Sequence, residues 1–123
     1  PLFYGLATPG RRSELIVETA ERFAAFGADL LKLPFPGSPA ACEQVTAAVE
    51  VPWAMLSGGG SFDDFADQIA VANAAGCSGF MVGRALWGEA VRAPAADRAD
   101  LLQTLVRPRF ERLVALNKEA NHG

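Results

Sequence analysis

The feature that most restricts the fold is a fourfold alternation of short apolar runs with longer helical patterns. Each apolar run has the length of a strand, and the helical stretches carry apolar residues three and four positions apart. The predicted strands are Leu2–Ala7, Asp29–Leu33, Trp53–Leu56 and Gly79–Val82. The predicted helices are Ser13–Phe26 with Ser13 as N-cap, Pro39–Val49, Phe62–Ala75, and most of the chain after Arg84, with Pro108 kinking or restarting the last helix. This order predicts an α/β fold of four βα units around a parallel sheet.

Four such units form half of a (β/α)8 barrel. The chain has 123 residues and is treated as one domain, whereas a whole barrel has about 250 residues. A half-barrel leaves its inner face and two strand edges open, so we expect an amino-terminal half-barrel or a second copy in a homo-oligomer to cover them. The inner residues expected to be open are Leu30, Met55 and Met81. A small open doubly wound sheet is the alternative architecture.

Composition restricts the kind of partner. The net charge of −3 comes from scattered acids without a basic run, which argues against nucleic acid and against an anionic membrane as partners. No apolar stretch approaches the ~20 residues of a membrane-spanning helix. Cys42 and Cys77 lack the spacing of metal ligands, so we expect two reduced core thiols. The sequence has no cluster of His, Asp and Glu at ligand spacing, so we expect no metal, and no cofactor is implied. A small molecule is the expected partner, and a reducing cytoplasm is the expected location.

A lysine in the second predicted strand is the first candidate for chemistry. The chain has two lysines, and Lys32 lies in the apolar run LLKLP, where a hydrated ammonium is costly. Strand alternation places Lys32 on the face opposite Leu31 and Leu33, near the carboxyl end of the strand, where barrel active sites lie. Burial lowers the pKa of a lysine, and the neutral amine can attack a carbonyl to form an imine. The alternative is a lysine that extends to solvent or pairs with a carboxylate.

Two turns after the next strands are suited to an anion. The run Ser57-Gly58-Gly59-Gly60-Ser61 joins a strand to a helix, so its amides can approach an anionic oxygen without hindrance from side chains. Gly83-Arg84 occupies the same position one unit later and adds a guanidinium that can bind phosphate or sulfonate through two hydrogen bonds. We therefore predict an anion site at Ser57, Gly58, Gly59, Gly83 and Arg84. An ion pair of Arg84 with Glu89 or Asp63 is the alternative.

Three stretches carry a resemblance to a known family. They are ADLLKLP at 28–34, LSGG at 56–59 and AAGCSGFMVGRALW at 74–87. They resemble the tagatose-1,6-bisphosphate and sulfofructosephosphate aldolase group, part of the wider class I aldolases that act on deoxyribose phosphate and fructose bisphosphate. Those families are (β/α)8 barrels, so the resemblance implies that this chain supplies strands five to eight.

The resemblance also implies a reaction and roles for residues. The imine-forming lysine of the group falls on Lys32, and the implied reaction is reversible aldol cleavage of a phosphorylated or sulfonated ketose. The anion-binding residues of the group fall on Ser57, Gly58, Gly83 and Arg84. The group places a glutamate for proton transfer in the first of these strands, where this chain has no acid. Tyr4 is the nearest chemical substitute, and a packed aromatic side chain is its other interpretation.

Two rival functions remain open. Pro1 suggests the amino-terminal proline base of the tautomerase fold, although four βα units do not fit that smaller fold. A half-barrel can also be a non-catalytic fragment or assembly module that binds an anion without chemistry.

Overall fold

A computed structural model describes residues 7–122, in which three parallel strands form one sheet in the order β1-β2-β3. The strands are β1 (Leu31–Leu33), β2 (Trp53–Leu56) and β3 (Gly79–Met81). The predicted strand Leu2–Ala7 lies outside the described residues, apart from Ala7, which is not in a strand. The other three predicted strands are confirmed.

One helix precedes β1, and further helices follow each of the three strands. They are α1 (Pro9–Ala25), α2 (Pro39–Ala48), α3 (Phe62–Ala74), α4 (Arg84–Arg92), α5 (Arg98–Leu101) and α6 (Arg107–His122). A π-helical segment, Leu102–Val106, leads into α6, where Pro108 lies in the first turn and its missing N–H costs little. Helix α1 packs against α2, α2 against α3, and α3 against α6. This is part of a (β/α)8 barrel, and none of its helices within residues 7–122 is long and apolar enough to cross a bilayer.

The core lies between the sheet and the helices. Leu31 and Leu33 are buried while Lys32 between them is exposed, as the strand alternation predicted. In the sheet register Leu33 pairs with Met55, so the Met55 side chain belongs to the buried helix side and is fully inaccessible. The expectation that Met55 lies on the open inner face is therefore wrong. Leu30 and Met81 are exposed, as expected.

Helix α1 begins four residues earlier than the sequence pattern predicted. Thr8 is the N-cap, and its side-chain oxygen accepts a hydrogen bond from the Arg11 amide at 3.4 Å. Pro9 takes the first helical position, where proline is favoured because its φ suits a helix and that N–H has no helical partner. Ser13 is therefore not the cap. Its hydroxyl lies 2.6 Å from the Pro36 carbonyl and ties α1 to the loop after β1.

One threonine joins three elements beneath the sheet. The Thr46 hydroxyl in α2 donates to the Ala75 carbonyl at 2.6 Å and accepts from the indole N–H of Trp53 at 3.0 Å. Gly76 follows with φ +98°, and a Cβ there would lie 2.6 Å from Thr46 Cγ2. Thr46 thus connects α2, the end of α3 and β2, and the close approach requires glycine at position 76.

Candidate active site

Segments from the ends of all three strands line one cavity of about 430 Å3. Parallel strands end at the same edge of a sheet, so segments that are distant in sequence meet there. The lining residues are Lys32, Leu56, Ser57, Gly58, Gly59, Met81, Val82, Gly83, Arg84 and Trp87. This Lys32 cavity therefore contains all six predicted site residues that the structure describes. Tyr4 and Pro1 lie outside the described residues.

The surroundings of Lys32 differ from the expectation. Its side chain is exposed, so the described part of the chain does not bury it, and within residues 7–120 no salt bridge to it is present. In the register of the sheet Lys32 pairs with Ala54, which in turn pairs with Gly79. Both neighbours in this row are small, so the inner face beside the amine is open. The predicted position of Lys32 is right, and its predicted burial is wrong for these residues.

The turn after β2 has a conformation that only glycine adopts readily. Gly58 and Gly59 have φ values of +62° and +85°, and the Gly60 amide donates to the Ser57 carbonyl at 3.4 Å. Positive φ at both central positions is the pattern of a type I′ turn. The turn brings Gly59 against Arg84, since a Cβ on Gly59 would lie 3.2 Å from Arg84 Nη2. The two predicted anion-binding turns are therefore in contact.

Neither of the carboxylates considered as partners pairs with Arg84. Arg109 donates to Glu89 at 3.0 Å, and Arg112 donates to Asp63 at 3.1 Å. Among the residues that the structure describes, no salt bridge to Arg84 is present, and its side chain is exposed. This leaves the Arg84 guanidinium available for a ligand, and the ion-pair alternative is wrong.

The first turn of α4 reinforces the positive potential at this edge. Gly83 is the N-cap residue, and its carbonyl accepts from the Leu86 amide at 2.8 Å, so the amides of Arg84 and Ala85 precede the first helical hydrogen bonds. No acidic residue lies in this first turn. By contrast, α3 has Asp63 and Asp64 in its first turn, which offset its dipole. The start of α4 is therefore the more favourable of the two for an anion.

Sequence reasoning placed Met81 on the inner face but missed Leu56 and Trp87 as apolar parts of the cavity. Leu56 and Met81 are register partners that point to the inner face, and Trp87 extends to the cavity from the first turn of α4. Trp87 and Met81 are exposed, at 39% and 37% of their surface. The available signal for Trp87 was its spacing of three residues from Arg84, which places both on one face of a helix.

Neither cysteine lines the Lys32 cavity. Both thiols are free and buried. Burial raises the pKa of the Cys42 thiol to about 11 and also raises the pKa of the Cys77 thiol, so both resist forming the reactive thiolate. Within the part of the chain that the structure describes, no group of three or more His, Cys, Asp or Glu side chains is placed to hold a metal ion.

Comparison with known proteins identifies relatives of this arrangement. Residues 3–89 match the DeoC/LacD family of aldolases. An archaeal fructose 1,6-bisphosphate aldolase is similar in structure, with a TM-score of 0.57 and 30% identity over 76% of this chain and 37% of that chain. A second archaeal fructose-1,6-bisphosphate aldolase has its catalytic lysine covalently bound to the carbinolamine intermediate of the substrate. It shares the fold at a TM-score of 0.60 and 24% identity, over 82% of this chain and 38% of that chain. The chain thus spans less than two fifths of either structure.

Proposed function

The chain belongs to the DeoC/LacD family of aldolases, and on that premise we propose that it carries the imine-forming lysine of a class I aldolase, Lys32. The observation that supports this most is the single cavity that joins Lys32 to the turns at Ser57 and Arg84. A ketose bound there has its anionic group at the turns and its carbonyl near the amine. Such positioning is what covalent catalysis requires.

The proposed reaction is reversible cleavage of a ketose. The neutral amine of Lys32 adds to the ketose carbonyl, and the resulting carbinolamine loses water to become an iminium. A base then removes the proton of the hydroxyl on the second carbon beyond the iminium carbon. The carbon–carbon bond breaks, an aldehyde leaves, and the electron pair of that bond forms an enamine. Protonation of the enamine and hydrolysis of the iminium release the ketone and restore the amine. Tyr4 is the proposed proton carrier.

The proposed substrate carries a phosphate or a sulfonate. Three features favour an anionic oxygen at one side of the cavity. Within the described residues Arg84 has no salt bridge, no acidic residue offsets the dipole in the first turn of α4, and the Gly58-Gly59 turn leaves its amides accessible. The apolar side chains of Leu56 and Met81 line the same cavity. A phosphorylated or sulfonated ketose of the tagatose-bisphosphate or sulfofructose-phosphate type fits this division.

A further structural element is needed to complete the proposed site. Lys32 is exposed, Leu30 is 47% exposed, and β1 has no strand on its outer side within residues 7–122. We propose that an amino-terminal half-barrel or a second copy of the chain covers this face, and that the assembly is a cytoplasmic homo-oligomer. The exposure of Lys32 also supports a second candidate function, an anion-binding module without chemistry, in which the cavity holds an anion and Lys32 remains unmodified.

Borohydride trapping tests the proposal. Incubation of the intact protein with dihydroxyacetone phosphate and borohydride should reduce the imine and leave a stable adduct on the peptide that contains Lys32. Lys32→Arg should abolish the adduct because a guanidinium keeps its charge and is not an amine nucleophile. Lys118→Arg is the matched control, since it changes the only other lysine, an exposed residue of α6, and should leave the adduct intact.

The outcomes separate the two candidate functions. Adduct on Lys32 supports the aldolase. Phosphate binding that Arg84→Ala weakens, in protein that forms no adduct, supports the anion-binding module instead. Adduct on Lys118 alone removes Lys32 from the proposed chemistry.

A further inference from the structure

A second cavity, of about 360 Å3, shares only Gly59 and Arg84 with the Lys32 cavity. Its cations are Arg84, Arg92 and Arg109, and we refer to it as the arginine cavity. Lys32 does not line it. Its size is within the range of small-molecule sites and is sufficient for a phosphate with a small organic group.

The charges in the arginine cavity are unevenly matched. Three arginines face two carboxylates, Asp63 and Glu89, which leaves a net charge of +1 in the lining. Both carboxylates already have partners, because Glu89 accepts from Arg109 and Asp63 accepts from Arg112, which does not line the cavity. Within residues 7–120 no salt bridge to Arg84 or Arg92 is present. Two guanidinium groups therefore lie at one cavity without a bound counter-charge.

The three guanidinium groups lie against one aromatic ring and two glycines. Arg109 lies over the Phe62 ring at 5.1 Å and is fixed by its bond to Glu89. The Arg92 side chain folds back along α4, and a Cβ on Gly88 would lie 3.1 Å from its Nη1. Gly59 leaves similar room for Arg84. The absence of a side chain at two glycines thus permits the two unpaired guanidinium groups to lie against the backbone.

We propose that the arginine cavity is a second anion site, which binds phosphate, free or as the ester of a small molecule, separately from the Lys32 cavity. A guanidinium binds phosphate through paired, charge-assisted hydrogen bonds, and Arg84 and Arg92 are the groups free to form them. Arg109 lines the cavity as part of its ion pair with Glu89, so the contacts to the anion come from Arg84 and Arg92. Because Arg84 lines both cavities, it contributes to both anion sites, whereas Arg92 contributes to this site alone.

Calorimetric titration of the intact protein with inorganic phosphate tests the site. We expect two phosphates per chain in the wild type, and Arg92→Gln should weaken one of them about tenfold or more through loss of a charge-assisted contact. Arg84→Gln should weaken both. Arg22→Gln is the matched control, because Arg22 is likewise an exposed arginine in the last turn of a helix and should leave both unchanged. Glycerol phosphate titrated in parallel distinguishes an ester site, which binds it more tightly, from a site for the free ion.

A second variant tests the geometry without removing a charge. Gly88→Ala places a methyl group against the Arg92 guanidinium, so phosphate affinity should fall a few-fold while the melting temperature stays equal or rises, since alanine favours a helix. If Arg92→Gln and Arg22→Gln give the same phosphate titration curve, the second site does not exist. The same conclusion holds if neither variant nor the wild type binds phosphate. Failure of borohydride trapping at Lys32 leaves this result unaffected, so the two proposals fail separately.

Discussion

The contact between Gly59 and Arg84 provides a graded test of the anion site. In Gly59→Ala the new Cβ lies 3.2 Å from Arg84 Nη2 and 3.7 Å from Cζ, so the guanidinium must move by a few tenths of an ångström. Gly58→Ala introduces the same backbone strain, since both glycines have positive φ. Its Cβ, however, meets only Leu56 Cδ1, at an ordinary contact distance of 3.8 Å. The pair therefore separates backbone strain from displacement of Arg84.

The magnitudes follow from these contacts. Either alanine should lower the free energy of unfolding by roughly 1–2 kcal/mol, the cost of left-handed backbone with a Cβ. Complete loss of the Arg84 contact in Arg84→Ala should weaken binding by about 1.5–3 kcal/mol, the range for a hydrogen bond to a charged group. That range corresponds to about 10- to 150-fold in affinity. In Gly59→Ala the guanidinium is displaced but present and should lose part of its contribution to the binding free energy, so binding should weaken about 2- to 10-fold. In Gly58→Ala the guanidinium is not displaced, so binding should weaken less than twofold.

The assay is the concentration of dihydroxyacetone phosphate that gives half-maximal borohydride trapping on Lys32. Urea unfolding of each variant measures the strain separately. Equal weakening by the two alanines would mean that backbone strain, rather than Arg84, controls the site. Trapping by Arg84→Ala at wild-type concentrations of ligand would exclude Arg84 from ketone phosphate binding altogether.

Two further predictions concern stability. Thr46→Val keeps the side-chain shape but leaves the buried Trp53 indole N–H and the Ala75 carbonyl without their partner, so the free energy of unfolding, measured in urea, should fall by roughly 2–3 kcal/mol. Thr104→Val at an exposed position should change it little, and equal losses in the two variants would contradict the role of the network. The pKa of the Cys42 thiol is raised to about 11 from its ordinary value of 9.0, so between these pH values the folded state keeps a proton that the unfolded state releases. The free energy of unfolding should therefore fall by roughly 1–3 kcal/mol between pH 9 and 11. Cys42→Ala should show a smaller fall over this range, and an equal fall would assign the loss to other groups.

The sequence predicted the sheet well because its signals are local. Trp53–Leu56 was predicted with the bounds that the structure has, since a turn-forming glycine run follows it directly. The helix predicted at Phe62–Ala75 ends one residue earlier, at Ala74, and Gly76 follows its C-cap with positive φ. The start of α1 was predicted wrongly, because Ser13 is a possible cap beside the first apolar residues, whereas the Thr8-Pro9 pair is the start signal that the structure uses.

The site was predicted in part for the same reason. Strand ends and glycine turns can be read locally, so Lys32 and the Ser57 and Arg84 turns were chosen correctly as neighbours. The side of Met55 was predicted wrongly, because it depends on which residues of β1 and β2 pair, and register is a property of two strands together. The salt bridges that leave Arg84 free are also non-local, since they involve Arg109 and Arg112 of α6.

The proposed chemistry requires an anion site and a reactive amine, and these depend on different parts of the molecule. An anion site needs amides and a guanidinium held by short turns, and the contact between Gly59 and Arg84 supplies this within the chain. A reactive amine needs surroundings that disfavour its charged form, and that depends on everything packed around it. In the sheet row of Lys32, the described neighbours are Ala54 and Gly79, whose small size leaves space for a ketone. In the proposed chemistry, desolvation of Lys32 depends on what packs on the open inner face, so the position of Lys32 could be predicted from this sequence and its burial could not.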